Sequence, residues 1–319
     1  MLKNFFIYHR ANFKFFISII YSNLCKEKIM KNDIRLGIIL MLSATLFFAI
    51  MDGVSRYLAE TYNVMLINML RAWVLAIIVI LISMRKGQGI KKVSKSDNYF
   101  LQILRGTILI SCVCIGVHSF TILGLVTSHC IISCYPLIVM ALSGPFLKEK
   151  IGWRRWLAVL LGFIGVLIII NPLSFNFNLN ILWPISLSFL LAFYTILTRK
   201  VSSFDTSETS FFWVAMMGCL IMSLIGPFFW EQILLEDLKY LILLCFLSTC
   251  GHFLLIKALE TAQASILQPF TYFQLLFASA IGIFVFNDKI TQTILIGGFL
   301  IVGSGLFAAW RDHFKKQGI

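Results

Sequence analysis

Three charged side chains, Asp52, Arg56 and Arg71, lie inside long apolar stretches of the sequence. Each costs at least about 2.5 to 3.5 kcal/mol near the middle of a membrane helix, so it needs a partner or a hydrated cavity. Asp52 and Arg56 are four residues apart, share one helix face and can pair. Arg71 offers a planar guanidinium that can bind a carboxylate or phosphate through two hydrogen bonds. The alternatives for Arg71 are a structural ion pair with Asp52 and a side chain that extends to the membrane surface.

Polar and aromatic side chains in the same stretches complete a candidate site. The histidines His118, His129 and His252 are candidate proton carriers, since an imidazole titrates near physiological pH, although a buried histidine is often only a hydrogen-bonded packing residue. The further candidate substrate-binding residues are Tyr135, Tyr194, Trp213, Gln268, Tyr272 and Gln274. Aromatic rings can stack on a flat or cationic ligand, and they can equally serve only for packing. The sequence contains no metal-ligand pattern, nucleotide-phosphate loop or nucleophile elbow, so no metal, cofactor or catalytic residue is predicted.

The composition indicates whether these residues lie in water or in a lipid bilayer. The 319 residues are 59% hydrophobic and only 13% charged, and the mean hydropathy is +0.90. Soluble domains carry about 25% charged residues. The net charge of +13 comes from short basic tracts between apolar runs and not from a basic face, so no nucleic-acid partner is expected. The chain is therefore predicted to be an all-α integral membrane protein surrounded by lipid.

Ten apolar segments are long enough to cross, or nearly cross, a bilayer core of about 30 Å. We number them span 1 to span 10, and their predicted ranges are 36–57, 64–84, 101–123, 125–147, 153–170, 181–198, 210–230, 240–256, 264–286 and 293–310. Basic residues gather in alternate connections, and 23 of the 27 Lys and Arg fall on one side if both termini are cytoplasmic. We therefore expect a multi-pass protein of a bacterial-type inner membrane with both termini inside.

The two halves of the chain resemble each other. The run Ser43 to Ala49 followed by Arg56 matches the run Ser186 to Ala192 followed by Arg199, 143 residues later. Five spans per half is an odd number, so the second half must enter the membrane from the opposite side. Inverted repeats of this kind build secondary transporters with a site near the middle of the membrane. Val214 stands 143 residues after Arg71, so we expect a chemically asymmetric site.

The predicted organisation has four parts. Residues 1–33 form an N-terminal extension that an over-long gene start or an interfacial arm would explain, residues 34–172 form the first repeat with spans 1 to 5, and residues 173–311 form the second with spans 6 to 10. Residues 312–319 form a cytoplasmic tail. The sequence does not set the oligomeric state, and a homodimer is a possible assembly.

Short motifs in both halves carry a resemblance to a known family. They include Leu104-Arg105-Gly106, Tyr135-Pro136-Leu137, Phe146-Leu147-Lys148-Glu149-Lys150, Trp153-Arg154-Arg155-Trp156, Gly162-Phe163-Ile164-Gly165-Val166, Gln268-Pro269-Phe270 and Phe286-Asn287-Asp288. Their order and duplication resemble the drug/metabolite transporter superfamily, in its ten-helix branch with two EamA domains. The segment from Asp52 to Leu58 is similar to the subgroup of S-adenosylmethionine and riboflavin uptake proteins. The resemblance implies a transporter for a small molecule.

Three classes of function compete at this stage. The first is a secondary transporter that works by alternating access, either an uptake protein for S-adenosylmethionine or a riboflavin-like compound, or an exporter of amino acids or other metabolites. The second is a membrane-embedded lipid-processing enzyme, which would normally show clustered Asp, His or Glu at one membrane face. The third is a structural or signalling subunit, which would not need an inverted repeat. The sequence favours the transporter, not an enzyme.

Overall fold

The structure is a computed structural model that describes residues 33–85, 89–147, 153–170, 178–262 and 264–316. Every regular element in these ranges is helical. The predicted N-terminal extension, apart from Asp33, lies outside the described residues, and so does the predicted boundary between the two repeats near residue 172.

The ten predicted spans appear as helices in the predicted order. The bounds are Ile34–Ala59 for span 1, Val64–Arg85 for span 2, Trp153–Ile170 for span 5, Leu182–Val201 for span 6, Ser207–Ile225 for span 7, Leu238–Thr261 for span 8, Ala264–Phe286 for span 9 and Gln292–Lys316 for span 10. Spans 3 and 4 share the helix Tyr99–Ile132, and span 4 continues as Tyr135–Leu147. Short helical pieces, Gly89–Ser94, Leu179–Ile181 and Gly226–Phe229, lie in the connections.

Length and composition agree with this assignment. Seven helical segments among the described residues are long and apolar enough to cross a membrane, and the segment Tyr99–Leu142 is 44 residues long, about twice the 20 or so that one crossing needs. The apolar stretches Trp156–Ile170 and Gln292–Phe307 are shorter. The predicted all-α fold of ten membrane helices is confirmed.

Glycine and proline set the breaks between and within spans. Spans 3 and 4 meet without a loop at Gly124, whose φ of 79° lies in the left-handed region that favours glycine. Span 4 is interrupted after Ile132, where Pro136 has no N–H to continue the ladder of hydrogen bonds. Span 7 ends at Ile225, five residues before its predicted end, because Pro227 follows and the chain tightens into a short 3₁₀ turn.

The packing of the spans follows the internal repeat. Span 1 packs against spans 8 and 9, and span 6 packs against spans 3 and 4. Each span corresponds to the one five places along the chain, so span 6 corresponds to span 1, and spans 3 and 4 correspond to spans 8 and 9. The two sets of contacts are therefore equivalent. Spans 2 and 7 pack against each other, as do spans 5 and 10. These pairings are those expected of two inverted five-helix repeats.

Polar contacts between the connections show the same symmetry. Tyr62, between spans 1 and 2, donates a hydrogen bond of 2.8 Å to Asp237 before span 8. Asp205, 143 residues after Tyr62, lies between spans 6 and 7 and accepts hydrogen bonds from the Gln102 side chain (2.7 Å) and the Asp97 backbone (3.1 Å) at the start of span 3. The two repeats are therefore tied together at both ends of the bundle.

Spans 5 and 10 approach each other closely at two glycines. A Cβ atom added to Gly165 would lie 2.7 Å from the carbonyl oxygen of Gly297, and one added to Gly297 would lie 2.5 Å from that of Gly165. Side chains larger than hydrogen would force the backbones apart, so this pair uses the small-residue packing typical of membrane helices.

Candidate functional site

A central cavity of about 130 Å³ lies between the two repeats. Spans 1, 2, 3, 4, 6, 8 and 9 contribute to its wall. Eight of the twelve residues predicted as site residues line it, namely Asp52, Arg71, His129, Tyr135, Tyr194, His252, Gln268 and Gln274. Most of the remaining wall is apolar. An apolar cavity with a few converging polar groups is the usual form of a small-molecule site.

Asp52 is the acidic group of the cavity and is only 5% exposed. The side-chain amide of Gln274 in span 9 donates a hydrogen bond of 3.1 Å to Asp52 Oδ2. His129 Nε2 in span 4 lies 3.1 Å from the same oxygen, at ion-pair distance but without the alignment of a hydrogen bond. Since both contacts use Oδ2, the structure leaves Oδ1 as the oxygen that can receive a ligand.

Arg71 is the basic group of the cavity and is also only 5% exposed. Its Nη1 lies 3.8 Å from the sulfur of Met51, and the described residues place no carboxylate within 4.0 Å of the guanidinium. Burial among spans 1, 3 and 8 does not match a side chain that extends to the membrane surface. Arg71 is therefore a buried cation with free hydrogen-bond donors beside the cavity, which is how a receptor for an anionic group would be arranged.

Arg71 and His252 also line a second, smaller chamber of about 30 Å³. Asn68 and Ser248 supply further polar groups there, and Val214 is also part of the wall. This volume is sufficient for one or two water molecules, which need polar partners of this kind. The chamber can keep the inner side of Arg71 hydrated.

Several buried polar atoms of the cavity wall have no hydrogen-bond partner among the described residues. Besides His129 Nε2, they are Tyr194 Oη, His252 Nδ1 and Gln268 Oε1. Leaving such atoms unpaired costs about 1 to 3 kcal/mol each, so they are expected to bind water or a ligand. Together with Asp52 and Arg71 they give the cavity two charges of opposite sign and three further polar contacts.

Two phenylalanine rings contact the histidines of the cavity wall. Phe48 meets the ring of His252 edge-on at 5.0 Å between ring centroids, and Phe120 stacks on His129 at 5.0 Å with 15° between the ring planes. Both phenylalanines line the cavity, and neither was predicted as a site residue. For Phe48 the sequence held a signal, because Met41, Thr45, Phe48 and Asp52 follow helical spacing on one face of span 1.

Four predicted site residues lie outside the cavity wall. His118 packs edge-on against Trp183 at 5.0 Å, and the Trp213 Nε1–H donates a hydrogen bond of 3.1 Å to the backbone carbonyl of Ser94. Tyr272 belongs to a core between spans 4, 5, 9 and 10. Although Gln268 and Tyr272 are one helical turn apart, only Gln268 reaches the cavity, because Tyr272 faces span 10 near Gly305.

Arg56 is the fourth, and its partner differs from the expected one. The sequence suggested a pair with Asp52 on the same helix face. In the structure Arg56 Nη1 lies 2.8 Å from both carboxylate oxygens of Asp288, while Asp52 contacts spans 4 and 9. Within the described ranges, no group of three His, Cys, Asp or Glu side chains is placed to hold a metal ion.

Asp52 and Arg71 have no charged counterparts in the second repeat. Thr195, 143 residues after Asp52, lines the cavity from span 6. Val214, at the same separation from Arg71, lines only the smaller chamber. Among the described residues, both charges of the cavity thus come from the first repeat, so the lining of the cavity is chemically asymmetric.

Comparison with known proteins places these features in context. The family model described as the EamA-like transporter family matches residues 35–171 and again residues 178–310. The S-adenosylmethionine uptake transporter of Rickettsia prowazekii is 24% identical over 276 residues, which are 86% of this chain and 93% of that protein. The riboflavin transporter of Vibrio cholerae is 26% identical over 283 residues, 88% of this chain and 95% of that protein.

A solved structure supports the fold independently. One crystal structure aligns over 85% of this chain and 96% of that chain with a TM-score of 0.65, at 12% sequence identity. At this identity the likeness concerns the helical architecture alone. The family match covers both halves of the chain and confirms the resemblance drawn from the sequence motifs.

Proposed function

The chain belongs to the EamA-like transporter family, and from this we propose that it carries a small zwitterionic metabolite of the S-adenosylmethionine class across the inner membrane by alternating access. Transport of a small molecule is the general function of the family. The observation that carries the substrate class is that a buried carboxylate, Asp52, and a buried guanidinium, Arg71, line the same cavity without an ion pair between them.

The charges select the type of ligand. Asp52 Oδ1 would receive an ammonium or sulfonium group, and Arg71 would receive a carboxylate through two parallel hydrogen bonds. The rings of Phe48, Phe120 and Tyr194 offer flat surfaces for a purine and for a cation, which are both present in S-adenosylmethionine. Riboflavin has no cationic centre at neutral pH, so it would leave the charge of Asp52 uncompensated. The named relatives include transporters of both compounds, and the cavity charges favour the first.

The direction of transport is a separate question. One alternating site supports uptake and export alike, and export of amino acids or related metabolites remains the alternative that shares this site. His129 and His252 lie on the cavity wall and are the candidate proton carriers that the structure favours over His118.

Uptake into proteoliposomes that contain the purified full-length chain tests the substrate. We expect accumulation of labelled S-adenosylmethionine that excess unlabelled S-adenosylmethionine abolishes. S-adenosylhomocysteine is the matched competitor, because it keeps the adenosine and amino-acid parts but lacks the sulfonium charge. It should compete about 10- to 100-fold more weakly, since loss of one charge-assisted contact is worth about 1.5 to 3 kcal/mol. Equal competition by riboflavin would overturn the proposed substrate class.

The orientation of the chain is proposed from its charge distribution. With both termini cytoplasmic, 23 of the 27 basic residues lie in cytoplasmic segments, as the positive-inside rule requires. A reporter that is active only in the cytoplasm should be active when fused after Ile319, and a reporter that is active only in the periplasm should be silent there. The reverse pattern would contradict this orientation, while a fusion between spans 1 and 2 provides the opposite control.

A further inference from the structure

A buried ion pair lies beyond the cavity, at the end of the bundle where spans 1, 3 and 9 finish. Arg56 Nη1 contacts both carboxylate oxygens of Asp288 at 2.8 Å, and the two side chains are only 12% and 10% exposed. The guanidinium carbon lies 4.2 Å from the ring centroid of Phe286. Arg56 belongs to the first repeat and Asp288 to the second, so the pair joins the two halves of the protein.

Asp288 holds a third element in the same place. Its Oδ2 accepts hydrogen bonds from the backbone N–H groups of Leu125 (2.8 Å) and Val126 (3.3 Å) at the start of span 4. The close approach depends on Gly124, where an added Cβ atom would lie 2.9 Å from both carboxylate oxygens. One carboxylate thus connects the end of span 1, the beginning of span 4 and the end of span 9. We call Arg56, Asp288 and these two N–H groups the latch.

The latch lies one helical turn beyond the cavity. On span 1 the cavity wall runs from Met41 to Asp52, and Arg56 follows four residues later. The cavity also stops at Phe120 in span 3 and at His129 in span 4, which are both close to Gly124. The ion pair therefore lies next to this end of the cavity.

At the opposite end the described residues show one contact of the related arginine. Arg199 stands 143 residues after Arg56, and its contact in the described part of the chain is with the backbone carbonyl of Leu259, at 3.3 Å. Leu259 itself lines the cavity and lies two residues before the end of span 8, and Gln268 lines the cavity four residues after the start of span 9. Along spans 8 and 9 the cavity thus lies nearer to this end of the bundle, whereas along spans 3 and 4 it lies nearer to the latch.

From these contacts we infer that the latch is the gate of the cavity at the end where spans 1, 3 and 9 finish, and that it must open for a ligand to pass there. Span 1 makes two successive contacts with spans 4 and 9, one at Asp52 through His129 and Gln274 and one at Arg56 through Asp288. The inference rests on the proposed alternating access but not on the identity of the substrate.

Accessibility of a native cysteine from each side of the membrane tests the latch. Cys112 lines the cavity, whereas Cys219 in span 7 does not and serves as the reference thiol. Sealed vesicles of both orientations are treated with a membrane-impermeant methanethiosulfonate reagent, and modification at each cysteine is measured by mass spectrometry. In the wild type we expect Cys112 to react only from the side opposite the latch. In Asp288→Asn, reaction from the latch side should become about tenfold faster or more, because breaking one partner of a buried pair removes most of its stabilisation.

Three variants control the result. Glu60→Gln removes the exposed neighbour of Arg56, 3.7 Å away, and should change nothing. Arg199→Gln alters the related arginine at the other end and should leave latch-side reaction at the wild-type rate. Arg56→Lys keeps the positive charge but not the bidentate contact, and it should give an intermediate rate even if Asp288→Asn does not insert.

Latch-side reaction of Cys112 that is equally fast in the wild type and the variants would overturn the inference, as would a failure of both Asp288→Asn and Arg56→Lys to increase it. Because no substrate is present, these outcomes are separate from those of the uptake experiment. A chain that does not carry S-adenosylmethionine can still show the gate, and a transporter of S-adenosylmethionine can still lack it.

Discussion

Asp52→Asn is expected to reduce uptake of S-adenosylmethionine by about 10- to 100-fold at subsaturating substrate, since a hydrogen bond to a charged group contributes about 1.5 to 3 kcal/mol. The amide keeps the size of the side chain and can still accept the hydrogen bond from Gln274, but it can no longer neutralise a sulfonium or ammonium group. Initial uptake rates in proteoliposomes, compared at equal amounts of inserted protein, measure the effect.

Thr195→Val is the matched control for this experiment. Thr195 occupies the position in the second repeat that corresponds to Asp52, lines the same cavity and carries no charge. Its hydroxyl donates to the backbone carbonyl of Leu191 at 2.8 Å, so its loss should change uptake little. Asp52→Asn with full uptake would show that Asp52 does not bind the cation. Such a result would also remove the argument for a zwitterionic substrate.

Arg71→Lys is expected to insert normally and to lose about 10-fold or more of its transport rate, because lysine keeps the charge but lacks the planar fork that binds a carboxylate through two hydrogen bonds. The loss should appear mainly as weaker binding of substrates that contain a carboxylate. Competition by decarboxylated S-adenosylmethionine separates this effect from a general defect, since that compound lacks the group that Arg71 would bind. It should be affected far less by the substitution than S-adenosylmethionine itself.

Two outcomes distinguish the roles of Arg71. If the guanidinium only satisfied the surrounding side chains, lysine would support near-normal transport, and the assignment of Arg71 to the site would be abandoned. Ser248→Ala is the control in the smaller chamber, because it removes a polar neighbour of Arg71 without altering its charge. We expect near wild-type transport from that variant.

Helix number and the internal repeat could be predicted from the sequence because they depend on local composition and on a short matching pattern. The apolar runs are long enough for a bilayer, and Arg56 with Arg199 marks the same point of each half. The predicted boundary between span 3 (101–123) and span 4 (125–147) agrees with the break at Gly124. Because hydrophobicity is continuous there, the sequence did not show that the two helices join without a loop, which depends on the left-handed φ of 79° at Gly124. The break before Tyr135, inside predicted span 4, was not predicted, and the missing N–H of Pro136 accounts for it.

The partners of the charged residues could be predicted only in part. The sequence placed Asp52 and Arg71 in one site because two unlike charges in a hydrocarbon medium need compensation. It suggested Asp52 as the neighbour of Arg56, since a single sequence indicates contacts only between residues three or four apart on one helix. Asp288, 232 residues away along the chain, became the partner through the packing of span 9 on span 1. The apolar wall was missed for a related reason, because phenylalanine is common throughout such a chain and most of its copies face lipid or other helices.

The close pairing of spans 5 and 10 separates helices that only support the fold from helices that line a cavity. Within the described ranges neither span contributes a residue to either cavity, and their contact runs through the backbones of Gly165 and Gly297. Random mutagenesis aimed at a new substrate should therefore find its useful changes in the other eight helices. Substitutions along the glycine contact should instead lower the temperature at which the detergent-solubilised protein aggregates, without changing which compounds compete for transport. Such variants would differ in stability from one another while they keep the same substrate site.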